Sequence, residues 1–183
     1  MFTDSRSKKV VLVAHCILNQ NSISDGTADY LGTFRDVVNL LLESDVGMIQ
    51  MPCPELLCLG LDRGNPEGVK NEVVVENTRI RKSLKEESSS EKMNFLVDQV
   101  ISQIEEYKKF DFSVLGVIGV NRSPSCGVET TSMDNNEISG KGLFIDTLKD
   151  RLDEKDIHVE MVGIKTSEID KSLEKVRGLL END

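Results

Sequence analysis

Residues 112–127 read FSVLGVIGVNRSPSCG, and the change of character halfway along this stretch decides the fold. Phe112 to Val120 is a continuous apolar run rich in β-branched residues, the pattern of a strand buried on both faces. At Asn121 it gives way to a polar loop that carries a proline and, six residues past the strand, Cys126. A strand covered on both faces needs helices above and below it, so helices and strands should alternate along the chain.

They do. Upstream, Val10 to Ala14 is a second buried-strand run, and Gly47 to Met51 a third that stops at Pro52. Between them Phe34, Val37, Val38, Leu41 and Leu42 recur at helical spacing. Ser88 to Glu91 forms a capping-box pattern that predicts a helix start. The amphipathic helix after it presents Met93, Leu96, Val97, Val100, Ile101, Ile104 and Tyr107 on one face. Downstream, Leu143 to Leu152 reads as a helix, and Ile157 to Ile164 as a strand whose alternating His158 and Glu160 predict a sheet edge. A last helix carries Ile169, Leu173, Val176 and Leu180. Residues 59–86 read as a long loop or lid with one β-like run, Val73 to Val75, and Asp134-Asn135-Asn136 marks a turn. The expected architecture is a single α/β domain over residues 1–183, a mainly parallel sheet flanked by helices in a Rossmann-like three-layer arrangement.

Such sheets bind ligands outside the carboxyl ends of their strands, which makes the cysteine positions informative. Cys16 follows the Val10 to Ala14 strand directly, Cys53 lies two residues past Met51, and Cys126 six past Val120. Parallel topology brings all three to one rim without any local motif. Cys58 is a candidate fourth ligand, but Leu56, Leu57 and Leu59 around it favour core packing. No pair has the two-residue spacing of a structural zinc site. Three thiolates on one rim suit a metal centre with one open position, whereas inert buried cysteines or a metal-free thiol or persulfide enzyme built on Cys126 are the competing readings.

The 183 residues include 32 acidic and 22 basic side chains, for a net charge of -10. That balance repels nucleic-acid phosphates and anionic membranes. The basic cluster Arg79, Arg81, Lys82 and Lys85 lies beside Glu86 and Glu87 and reads as a solvated face, and there is no tryptophan for base stacking. No apolar run is long enough for a membrane span, and the N-terminal apolar run breaks off at His15 and Cys16, unlike a signal peptide. The expectation is a cytoplasmic protein, a monomer or weak homo-oligomer, that acts on a small molecule.

AHCILN with Ser24-Asp25-Gly26 nearby, PCPELL at 52–57 and above all Arg122-Ser123-Pro124-Ser125-Cys126-Gly127 resemble the thiouracil desulfidase family. The resemblance implies an oxygen-sensitive 4Fe-4S cluster held by Cys16, Cys53 and Cys126, whose free iron takes up the sulfur of a thiocarbonyl substrate. It also implies that Glu55 and Ser123 assist a hydrolytic desulfuration of a thiolated nucleobase or related heterocycle. A non-catalytic iron–sulfur or metal-binding module, acting as a ligand or oxygen sensor, is the alternative. The chain departs from the family pattern at Ile23-Ser24, where many relatives carry Arg-Tyr, and at Leu57 to Gly60, where a double glycine is usual. His15, Arg63 and Arg122 are further polar candidates near the three cysteines.

Overall fold

The computed structural model describes residues 2–181. Its centre is a four-stranded, wholly parallel sheet in the order β2-β1-β3-β6. The strands are β1 (Lys9–Val13), β2 (Gly47–Gln50), β3 (Ser113–Val120) and β6 (Met161–Ile164). β1 and β3 occupy the middle, and Val11, Leu12, Val13, Val117 and Ile118 are fully buried there. This is why both runs are apolar without alternation. β6 forms one edge, as His158 and Glu160 foretold, but pairing begins only at Met161.

Helices cover both faces. α2 (Arg35–Glu43) and α7 (Ile169–Glu181) pack together on one side, and α5 (Glu87–Lys109) packs against α6 (Leu143–Glu154) on the other. α5 buries Met93, Leu96, Val97, Val100, Ile101 and Ile104 along the predicted face. Its start differs from the prediction. The helix begins at Glu87, before Ser88, and no side chain caps it; an acidic first turn and Lys108 and Lys109 in the last turn complement the helix dipole instead.

Residues 59–86 are not one loop. Residues 60–72 carry a 3-10 turn at Gly68–Lys70, and Val73–Leu84 forms helix α4. The β-branched triplet suggested extended structure, but burial of Asn77, Ile80 and Leu84 follows a helical period over a longer window, and tertiary packing overrides the local preference. Residues 128–141 likewise hold more order than a turn. β4 (Thr130–Met133) and β5 (Asn136–Ser139) pair as an antiparallel hairpin, joined through Asp134 and Asn135. Both have positive φ, the geometry of the tight two-residue hairpin turn. The hairpin packs on α4.

Among the described residues no helix is long and apolar enough to cross a membrane.

Candidate functional site

Because all four strands of the sheet run the same way, the segments that leave β1, β2, β3 and β6 meet above one end of the sheet. They enclose a cavity of about 130 Å3. The chain crosses from β1 to β2 on one side and continues through β3 to β6 on the other, so the cavity sits at the switch point where α/β sheets bind ligands. Cys16, Cys53, Glu55, Ser123 and Cys126 all line it.

Each cysteine is placed by a different device. Cys16 lies in the short helix α1 (His15–Leu18) that starts as β1 ends, and Gln20 Nε2 donates to its carbonyl at 2.8 Å. Cys53 is the N-cap of α3 (Pro54–Leu59), where Pro54 supplies the fixed φ favoured at a first helical position. The Leu56 backbone N–H donates to Cys53 Sγ at 3.5 Å. Cys126 ends the loop after β3. That loop folds back so tightly that a Cβ at Gly142 would collide with the Ser125 carbonyl and the Cys126 nitrogen. Ser123 Oγ accepts from the Cys126 backbone N–H at 2.9 Å and from Ser125 N at 3.2 Å, closing the turn.

Burial pushes the Cys16 thiol up to about 12, with Cys53 and Glu55 adding to the effect. Burial and Glu55 push Cys53 up to about 11. Cys126 is also raised, by burial and then by Cys53 and Cys16. The three sulfurs therefore feel one another as well as the apolar surroundings, and a cationic group among them would be needed to hold them as thiolates. Among the described residues no three Cys, His, Asp or Glu side chains converge as ligands of one ion would. Cys58 lies apart: it is half-buried, and its thiol donates to the Ser89 carbonyl at 3.6 Å.

Glu55 is the polar centre, buried to 7% exposure in the first turn of α3. Oε1 accepts from Ser125 Oγ at 2.6 Å and from Ser123 Oγ at 3.3 Å. Oε2 accepts from Arg63 Nε at 3.2 Å and Ser24 Oγ at 3.4 Å. The short bond belongs to Ser125, which the sequence reading passed over in favour of Ser123; residue spacing does not tell which hydroxyl turns toward the carboxylate. Ser125 Oγ also lies 3.5 Å from Cys126 Sγ, so it touches both chemistries. Arg63 is 3% exposed and fully engaged, donating onward to the carbonyls of Gly60, Leu61 and Ser22. It is the buried counter-charge of Glu55, whereas Arg122 is exposed. Burial and then the Arg63 charge push His15 below 6.5, so its imidazole is neutral at pH 7.

The far wall is α4. Val73 and Asn77, one turn apart, face the cavity. Arg79 and Arg81 were expected on a solvated face, yet both are clamps. Arg79 pairs with Glu76 and donates to the Arg63 carbonyl at 2.7 Å. Arg81 Nη1 reaches the carbonyls of Pro124 and Lys141, each at 3.2 Å, and Thr131 Oγ1 at 3.1 Å. Thr131 Oγ1 in turn donates to the Ser123 carbonyl at 2.9 Å. Arg81 Nε is the one buried side-chain polar atom without a partner among the described residues.

Over residues 11–158 the chain matches the family model described as 2-thiouracil desulfurase. It is 29% identical over 176 residues, 93% of this chain and 98% of the relative, to an uncharacterized protein of Methanocaldococcus jannaschii. No solved structure matches it. A match that takes in β1, β2 and β3, the three cysteine loops and α4 covers most of the chain, and the protein belongs to the 2-thiouracil desulfurase family.

Proposed function

We propose that this protein is a desulfidase, replacing the sulfur of a small thiocarbonyl heterocycle with oxygen from water, and that Cys16, Cys53 and Cys126 hold a 4Fe-4S cluster at the floor of the cavity. The observation that carries the reading is the meeting of three cysteines from three separate strand ends with a buried Glu–Ser–Ser array in one cavity. The donor set fits such a group: thiolates are its ligands, all three cysteines line one cavity, and the Leu56 N–H is aimed at the Cys53 sulfur. Three ligands leave one iron open, and when bound the cluster supplies a Lewis acid that polarises a C=S bond. A metal-free thiol nucleophile fits poorly, because burial raises all three thiols far above neutral pH.

The overall exchange balances without electrons: a thiocarbonyl and water give a carbonyl and hydrogen sulfide. The chain's own task is to move protons. Ser123, half-exposed at the cavity wall, passes a proton from a cavity water to Glu55 Oε1. Ser125 holds that same oxygen in place, and Arg63 and Ser24 anchor the other. Glu55 then returns that proton to the departing sulfur as the carbon–sulfur bond breaks, and the water's second proton follows it as the carbonyl forms, so the products are the carbonyl and hydrogen sulfide.

The test is sulfide release from 2-thiouracil by protein reconstituted with iron and sulfide in the absence of oxygen. Stoichiometric sulfide and uracil support the reading. Loaded protein that binds thio-heterocycles but turns none over refutes the catalytic part and leaves the sensor alternative.

A further inference from the structure

Among the cavity-lining residues, Asn77 has a polar atom with nothing to do. Its side chain is 92% hidden, since the residue is 8% exposed. Nδ2 donates to the Arg122 carbonyl at 3.3 Å and to Ser132 Oγ at 3.2 Å. The amide cannot be turned round. A carbonyl only accepts, and the Ser132 hydroxyl spends its single proton on the same Arg122 carbonyl at 2.7 Å, so it too must accept from Asn77. Oδ1 is thereby directed away from the loop. It accepts no hydrogen bond, yet it is not sealed among the buried orphans, and Asn77 lines the cavity. A rigidly oriented acceptor that no group of the protein uses, on a residue that lines the cavity, is free to take a donor from a ligand.

We propose that Asn77 Oδ1 reads a ring N–H of the substrate, which makes Asn77 a specificity-determining residue. The ligand class this selects is the cyclic thioamide or thiourea, a ring carrying both C=S and N–H. Rings of the same shape whose nitrogen bears a methyl group, or whose ring atom there is oxygen or sulfur, leave Oδ1 unpaired and are rejected. For the nature of its ligand the proposal rests on the desulfidase reading. Recognition comes from α4, an element that carries none of the three cysteines and not Glu55, so it is separable from the chemistry of the thiols. A site built to hydrogen-bond a group discriminates strongly against the analogue that lacks it, because its own buried atom is then stranded.

The experiment compares 2-thiouracil with its 1-methyl and 3-methyl derivatives. It reads kcat/KM for sulfide release by the reconstituted protein and, separately, calorimetric binding of uracil and the two N-methyluracils, which cannot turn over. In the wild type one methyl position should lose about tenfold or more in both readouts. Asn77→Ala should erase most of that discrimination, raising KM for the parent while kcat changes little. Ser132→Ala removes the other hydrogen bond to the Arg122 carbonyl but keeps Oδ1, and it should retain the discrimination; its melting temperature controls for loosening of the loop. Equal treatment of all three ligands by the wild type overturns the proposal. So does discrimination that survives in folded Asn77→Ala, or that Ser132→Ala also abolishes; each of these leaves the desulfidase reading standing. Asn77-dependent discrimination among the uracils with no sulfide released from any thio-ligand has the opposite meaning: it keeps the acceptor role and sinks the desulfidase reading.

Discussion

The floor and the far wall of the cavity are built on different principles. The floor hangs from the parallel sheet: Cys16 and Cys126 follow the two central strands, where Val11, Leu12, Val13, Val117 and Ile118 are fully buried, and Cys53 follows the edge strand β2, held by Ile49 and Met51 in the core. The wall is α4 with the 60–72 segment and the hairpin, held together by Arg79 on the Arg63 carbonyl and tied to the floor through polar side chains: Arg63 to Glu55, Arg81 to Pro124 and Lys141, Asn77 to Arg122. Hydrophobic burial tolerates conservative change and loses order gradually, whereas a buried charge left without its partner costs several kcal/mol at once. The floor therefore fixes what chemistry is available, and the wall fixes which molecule meets it and where the carboxylate points.

The bond between the two parts is the Glu55–Arg63 pair, so breaking it should have the largest effect. Glu55→Gln strands a buried guanidinium and is expected to cost about 3–5 kcal/mol in a urea melt, together with turnover. Replacing both, Glu55→Gln with Arg63→Gln, should recover much of the stability and none of the activity, which separates the structural role of the pair from the chemistry of the carboxylate. Next comes the seam between floor and α6. Gly142→Ala forces a methyl against the Ser125–Cys126 backbone and should cost about 3 kcal/mol, with weakened retention of iron as the accompanying readout. Arg81→Ala leaves the Pro124 and Lys141 carbonyls without their shared donor, about 2 kcal/mol by the same melt.

The smallest effect is pH-dependent. Burial pushes the Glu76 carboxyl up, but hydrogen bonds from Arg79, Asn71 and Asn65 outweigh it and hold the group below 4.5. A carboxylate depressed in the folded state stabilises the fold above its unfolded value and loses that contribution as pH falls through its folded value. Glu76→Gln should thus destabilise by about 1 kcal/mol at pH 7, and the difference from wild type should shrink steadily below pH 4.5. A difference independent of pH would mean that Glu76 acts through packing alone.

The same division explains what could be read from the residues. The floor was legible because buried parallel strands announce themselves as unbroken apolar runs, and a cysteine soon after each run must lie on the common rim. The wall was not. Val73 to Val75 looked extended because three β-branched residues favour strands locally, and only packing against the hairpin makes them helical. Arg79 and Arg81 looked solvated because a basic run beside glutamates usually is; the turn of a helix aims them at Glu76 and at the cysteine loop. Ser125 was overlooked beside Ser123, since two serines flanking one proline differ only in where the folded loop points them.

The account stands or falls on the three thiols acting together. Iron and acid-labile sulfide should be measured per chain after anaerobic reconstitution, for the wild type and for Cys16→Ser, Cys53→Ser, Cys126→Ser and Cys58→Ser. About four irons and four sulfides are expected in the wild type and in Cys58→Ser, with the content falling sharply in each of the other three. Zinc in place of iron, no metal in carefully reconstituted wild type, or loss in Cys58→Ser equal to that in Cys126→Ser would contradict it.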